Sequence, residues 1–136
     1  MKYQQKDFTQ ELKKKIQEME SALKEHSMIL LRENKSIFEN RNLDFDAVFD
    51  IDGSEHFKPG YCSTISIGIT NKINPTGELL NLHVITIWEC QRSLLGLPVT
   101  KNIPGSKIIG ELVDESLKEI KEELKEYIEL FLSEEY

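Results

Sequence analysis

Four carboxylates stand in the stretch LDFDAVFDID, residues 43–52: Asp44, Asp46, Asp50 and Asp52, with Glu55 three residues further on. Alternate residues of an extended chain share a face, so the four acids line one side, while Leu43, Phe45, Ala47, Phe49 and Ile51 line the other. Such a row supports three kinds of chemistry. Two acids one residue apart can divide the roles of nucleophile and general acid. Several together can gather a divalent cation. An exposed row can attract a basic macromolecule. The cation reading demands closeness, and same-face neighbours on one strand lie roughly 7 Å apart, too far to share an ion without help from another segment. A helix-loop-helix calcium loop with Gly53 at its sixth position would begin at Val48 and end at Pro59, where Asp and Glu are required. Like charges on one face repel, so either solvent screens them or something basic covers them.

The other chemistry-bearing residues are scattered. Cys62 and Cys90 form no Cys-x-x-Cys pair and no Cys/His cluster, and both read as buried thiols. A cysteine nucleophile would need His56 or His83 as its base, and no local signature joins them. His26 falls on the apolar side of a helix. Trp88, beside a long loop, reads as a core residue or as the anchor for a partner.

The elements that position these residues follow from periodicity. Phe8, Leu12, Ile16, Met19, Leu23, His26 and Leu30 recur at helical spacing, and Asp7 with Gln10 suggests the start of a helix that fades near Asn34. The period then falls to two in residues 43–52, a strand, and DGSEHFKPG links it to a second strand, YCSTISIGIT. NPTG at 74–77 predicts a hairpin turn into a third strand, ELLNLHVITIWEC, whose apolar residues change parity between Val84 and Ile85, as at a bulge or under burial on both faces. Residues 93–106, with two prolines and two glycines, read as a long loop. A second helix is expected from Ser106 through Ile109, Val113, Leu117, Ile120, Leu124, Ile128 and Phe131. The whole is expected to be one α+β domain, residues 1–136, with an antiparallel sheet of three or four strands and both helices on one sheet face. The heptad-like stripes also permit a homodimer through the helices.

Composition narrows the function further. The net charge of −7 repels nucleic-acid backbones and favours basic partners. No apolar run reaches the roughly 18 to 20 residues that cross a bilayer, and MKYQQKDFTQ lacks the apolar stretch of a signal peptide, so a cytoplasmic location is expected. Few arginines and many Lys, Ile and Asn suit an AT-rich bacterial or phage genome.

AVFDIDGSEH, residues 47–56, resembles the nucleophile strand of haloacid-dehalogenase-type phosphatases. That resemblance implies Asp50 as nucleophile, Asp52 as general acid and Mg²⁺ beside them. In that family the strand is central in a parallel sheet and reads as nearly continuous apolar sequence, which Asp44 and Asp46 interrupt. In size, charge and organisation the chain is also similar to bacterial immunity proteins. This likeness implies a non-enzymatic module without a cofactor, whose Asp44, Asp46, Asp50, Asp52 and Glu55 face a basic toxin or effector while Trp88 or the loop at 93–105 supplies apolar anchoring. The alternative expectation is a small phage or bacterial assembly protein that oligomerises.

Overall fold

The computed structural model describes residues 1–72, 77–134 and 136. Along the chain come β1 (Lys2–Gln4), a 3-10 turn (Gln5–Asp7), α1 (Gln10–Glu39), β2 (Leu43–Asp52) and β3 (Cys62–Asn71). They are followed by β4 (Leu79–Leu94), β5 (Leu97–Pro98), β6 (Lys107–Leu112) and α2 (Leu117–Ser133). The chain is α+β with an antiparallel sheet, but six strands occur among the described residues where three or four were expected. They pair in the order β1-β6-β4-β3-β2, with β5 folded back on the end of β4, so β2 is an edge strand. Among the described residues no helix is long and apolar enough to cross a membrane.

Contacts gather the chain into two compact units. The first comprises Met1–Ser21, Asp50–Thr64 and Thr86–Asp114; the second comprises Ala22–Phe49, Ile65–Ile85 and Glu115–Tyr136.

In the first unit, β1 pairs with β6 through Lys2↔Glu111 and Gln4↔Ile109, and β6 pairs with β4 through Trp88↔Leu112 and Cys90↔Gly110. Trp88 is the centre of the core. Phe8 and Phe57 stack on each other at 4.6 Å, and both meet the indole edge-on. Leu12 and Ile16 of α1 close the cluster with Tyr61, Cys90 and Leu112. Gly110 is required beneath the ring, because a Cβ at that position would lie inside the Trp88 side chain. Residues 107–112 are therefore a strand and not the start of a helix. α2 begins eleven residues later than expected, after Ser116, whose Oγ accepts from the Glu119 amide at 3.2 Å while Glu119 Oε1 accepts from the Ser116 amide at 3.1 Å.

The start of α1 also differs from expectation. Thr9 caps it, its Oγ1 accepting from the Leu12 amide at 3.2 Å, while the Asp7 carboxylate accepts from the Gln4 amide at 2.9 Å and closes the 3-10 turn. The helix continues to Glu39, past Asn34. The expected loop at 93–106 holds a tight hairpin. Leu94 pairs with Leu97 across Leu95 and Gly96, both with positive φ (52° and 80°), the twist that suits two adjoining antiparallel strands.

In the second unit, odd-numbered positions of β2 and β3, and of β4 from Asn81 onward, face inward, whereas Leu79 at the start of β4 is 54% exposed. Ile65, Ile67 and Ile69 are fully buried, as is Phe45, whose ring stacks on Phe38 of α1 at 5.1 Å. Each such side chain contributes about 1.5–3 kcal/mol by leaving water. From α2, Ile120, Leu124, Ile128 and Phe131 are buried, and Tyr127 stacks on His83 of β4 at 3.6 Å. The hairpin between β3 and β4 is closed by the Asn71 amide donating to the Glu78 carbonyl at 2.9 Å; Asn74, Pro75 and Thr76 of the expected turn lie outside the described residues.

Candidate interaction face

If odd positions in the second unit point inward, even ones point out. On β2 these are Asp44, Asp46 and Val48; on β3, Ser66, Gly68 and Thr70; on β4, Leu82 and Val84. Val48, Leu82 and Val84 are 41%, 51% and 48% exposed, open positions for apolar side chains. Gly68 explains part of the arrangement. A Cβ there would stand 3.3 Å from Leu82 Cδ1, so the missing side chain lets the leucine lie across β3. Asp44 and Asp46 are both exposed at the edge of this surface. The edge itself is guarded by the charges, because a strand with free backbone groups and an uncharged face invites pairing with other chains. The face thus carries Asp44, Asp46 and Val48 along its β2 margin, the small residues Ser66, Gly68 and Thr70 on β3, and Leu82 and Val84 on β4.

The other acids of the row are also exposed but belong to the first unit. Asp50 and Asp52 gather there with Glu89 around Cys62. Burial first, then Glu89, Asp52 and Asp50, raise the Cys62 thiol above its ordinary pKa and keep it protonated. Cys90, fully buried, is pushed up to about 11 by burial alone. Neither thiol is set up as a nucleophile. Glu55 is exposed and pairs with Lys58 at 3.2 Å. Trp88 is 0% exposed, with its Nε1 donating to the His56 carbonyl at 2.7 Å, so the anchoring role expected of it has no surface through which to act. Leu82 and Val84 offer the exposed apolar area that the tryptophan does not.

The phosphatase resemblance fails at the level of fold. Asp50 and Asp52 end an edge strand of an antiparallel sheet, whereas that family needs the centre of a parallel one. Among the described residues no three His, Cys, Asp or Glu side chains are grouped to hold a metal ion.

One polar cluster escaped the sequence reading. Glu20 lies almost completely buried on the inner side of α1 in the first unit; its carboxylate meets His56 Nε2 at 2.6 Å and accepts from the Tyr61 hydroxyl at 2.7 Å. Lys58-Pro59-Gly60-Tyr61 delivers the tyrosine. Pro59 and Gly60 occupy the central positions of a turn closed by the Tyr61 amide on the Lys58 carbonyl, with Gly60 at φ 99°. Gly60 and Tyr61 then stand opposite Cys90 as a glycine bulge, which aims the phenol at α1. Burial, then Glu20, raise the Tyr61 pKa and hold the phenol neutral. The three side chains share their hydrogen bonds among themselves, and the cluster ties the 53–61 segment to the helix. Comparison with models of protein families, with curated proteins and with solved structures returned no match.

Proposed function

We propose that the chain is a protein-binding module of the immunity or antitoxin kind, which covers a basic effector with the open sheet face of its second unit. One observation carries the reading: exposed Asp44 and Asp46 with half-exposed Val48 on β2, and half-exposed Leu82 and Val84 on β4, point outward from the same sheet face. Carboxylates at the margin of an apolar patch divide the labour of an interface, the charges steering encounter and rejecting acidic partners while the apolar centre slows dissociation. A basic, nucleic-acid-binding effector fits, since it must display the opposite charge on the surface that needs covering. The net charge of −7 adds long-range attraction.

The test is affinity capture from the native host with wild type, an Asp44→Asn/Asp46→Asn variant and a Leu82→Ser variant, each first shown to be folded by circular dichroism. A basic protein retained by wild type, released by moderate salt and lost from both variants supports the reading. Equal retention by all three overturns it. A concentration-dependent homo-oligomer that Leu82→Ser dissolves would instead mark an assembly subunit.

A further inference from the structure

Within the second unit, α1 and α2 enclose a groove of about 780 Å³. Pockets of roughly 300–1,000 Å³ take small organic ligands. Arg41, just beyond α1, donates to the Leu132 carbonyl near the end of α2, and His26 faces Lys121, so the helices run in the same direction with the groove along their length. Its apolar walls come from Leu30 of α1 and Leu117, Ile128 and Leu132 of α2. The charges at its rim, Glu33, Lys118, Glu122, Lys125 and Glu129, are exposed and mixed in sign, so they select no ligand charge.

The interior does select. Lys121 is the one ionic side chain lining the groove that is partly withdrawn from water, and it makes no ion pair within 4.0 Å among the described residues. On the same groove, His26 Nε2 is buried with no hydrogen-bond partner among the described residues. Burial and then Lys121 hold the imidazole below its ordinary pKa, against a weaker opposing pull from Glu33, so His26 is neutral and, as its Nε2–H tautomer, has a ring N–H to donate into the groove. A partly buried ammonium without a counter-ion and a buried imidazole nitrogen without a partner, side by side above apolar walls, share one missing group.

We propose that this groove binds a single-chain amphiphile with a carboxylate head, its alkyl chain on Leu30, Leu117, Ile128 and Leu132 and its head between Lys121 and His26. One carboxylate oxygen accepts from the Lys121 ammonium and the other from His26 Nε2–H. A cationic head would meet Lys121 and find only solvated glutamates at the rim; an alcohol would gain the chain contacts and leave Lys121 unpaired.

The experiment titrates the full chain calorimetrically with laurate, dodecanol and dodecyltrimethylammonium, all below their aggregation concentrations, with the His26 ring resonances followed in parallel. Laurate should bind saturably at one per chain and shift the His26 signals, with dodecyltrimethylammonium at least tenfold weaker. Lys121→Glu, at a position where the fold does not need the charge, should weaken laurate at least tenfold and reverse the preference. Leu117→Trp, which fills the groove, should weaken all three ligands. Absence of saturable laurate binding by folded wild type, equal binding of the two charged heads, or unchanged laurate affinity in Lys121→Glu would overturn the assignment. Asp44→Asn/Asp46→Asn should bind laurate as wild type does, which separates this groove from the sheet face.

Discussion

Replacing Glu20 by alanine should cost the protein about 3 kcal/mol. The carboxylate is 6% exposed and serves two partners, His56 Nε2 at 2.6 Å and the Tyr61 hydroxyl at 2.7 Å. Hydrogen bonds to a charged group contribute about 1.5–3 kcal/mol each, and removing one member of a buried pair costs roughly 3–5 kcal/mol. Two details favour the lower end. Tyr61 and His56 remain 3.1 Å apart and can bond to each other once Glu20 is gone, and the His56 side chain is 13% exposed, so water reaches it. An unfolding entropy of about 2.1 cal/mol/K per residue makes that loss a fall of about 10 °C in Tm for a chain of this length. Urea unfolding followed by circular dichroism and by Trp88 fluorescence measures it; Trp88 is the sole tryptophan, and its indole bonds to the His56 carbonyl, so its emission reports on the same segment. A double-mutant cycle with Tyr61→Phe should give a coupling of about 1–3 kcal/mol. A Glu20→Ala protein within about 0.5 kcal/mol of wild type, with unchanged Trp88 emission, would refute the claim that this cluster secures the 53–61 segment.

Gly110→Ala forces a methyl group into the Trp88 ring and should destabilise by about 1–3 kcal/mol or more, read as a lower urea midpoint with blue-shifted or quenched Trp88 emission lost early. The raised pKa of Tyr61 means that the folded state favours the neutral phenol, so this contribution is complete below the unfolded pKa of about 10 and is lost as pH climbs above it; the stability advantage of wild type over Tyr61→Phe should be flat to pH 9 and shrink beyond pH 10. Asp50→Asn/Asp52→Asn removes two of the charges that keep Cys62 protonated, and iodoacetamide at pH 8 should then label Cys62 about twofold faster or more, with Cys90 unchanged.

How much of this was legible in the sequence depended on whether local pattern and tertiary packing agreed. The β2 alternation was readable because one face is buried and the other is wet: Leu43, Phe45 and Ala47 go in, and Asp44 and Asp46 stay out. The pattern weakens toward the strand's end, where Phe49 is only half-buried and Ile51 is 44% exposed. α1 was readable as a helix, but its buried stripe runs through Leu12, Ile16, Glu20, Leu23, Ser27 and Leu30, so counting apolar residues placed Met19 and His26 where Glu20 and Ser27 belong. That substitution hid the Glu20 cluster. β6 was misread because Ile109, Val113 and Leu117 continue the helical spacing of α2 by coincidence, while the better signal, Ser-x-x-Glu at 116–119, marks the true helix start. β1 is three residues long and becomes a strand only through its pairing with β6, which no period could disclose. The hairpin at Leu95-Gly96 carries leucine where asparagine or aspartate is usual, and so gave no turn signal. The apolar half of the candidate face was visible as Leu82 and Val84 on one parity, but the alternation alone did not show which parity stays open, since Ile85, Ile87 and Trp88 are the residues that are buried.

The central claim, a basic partner held by the open face of the second unit, is tested most directly by the salt dependence of affinity for the captured protein, purified and titrated against wild type and Asp44→Asn/Asp46→Asn. The wild-type Kd should rise steeply between roughly 50 and 300 mM salt, and the variant should bind at least tenfold more weakly at the lower salt with a visibly flatter dependence. Identical affinities and identical salt slopes for the two proteins would contradict it.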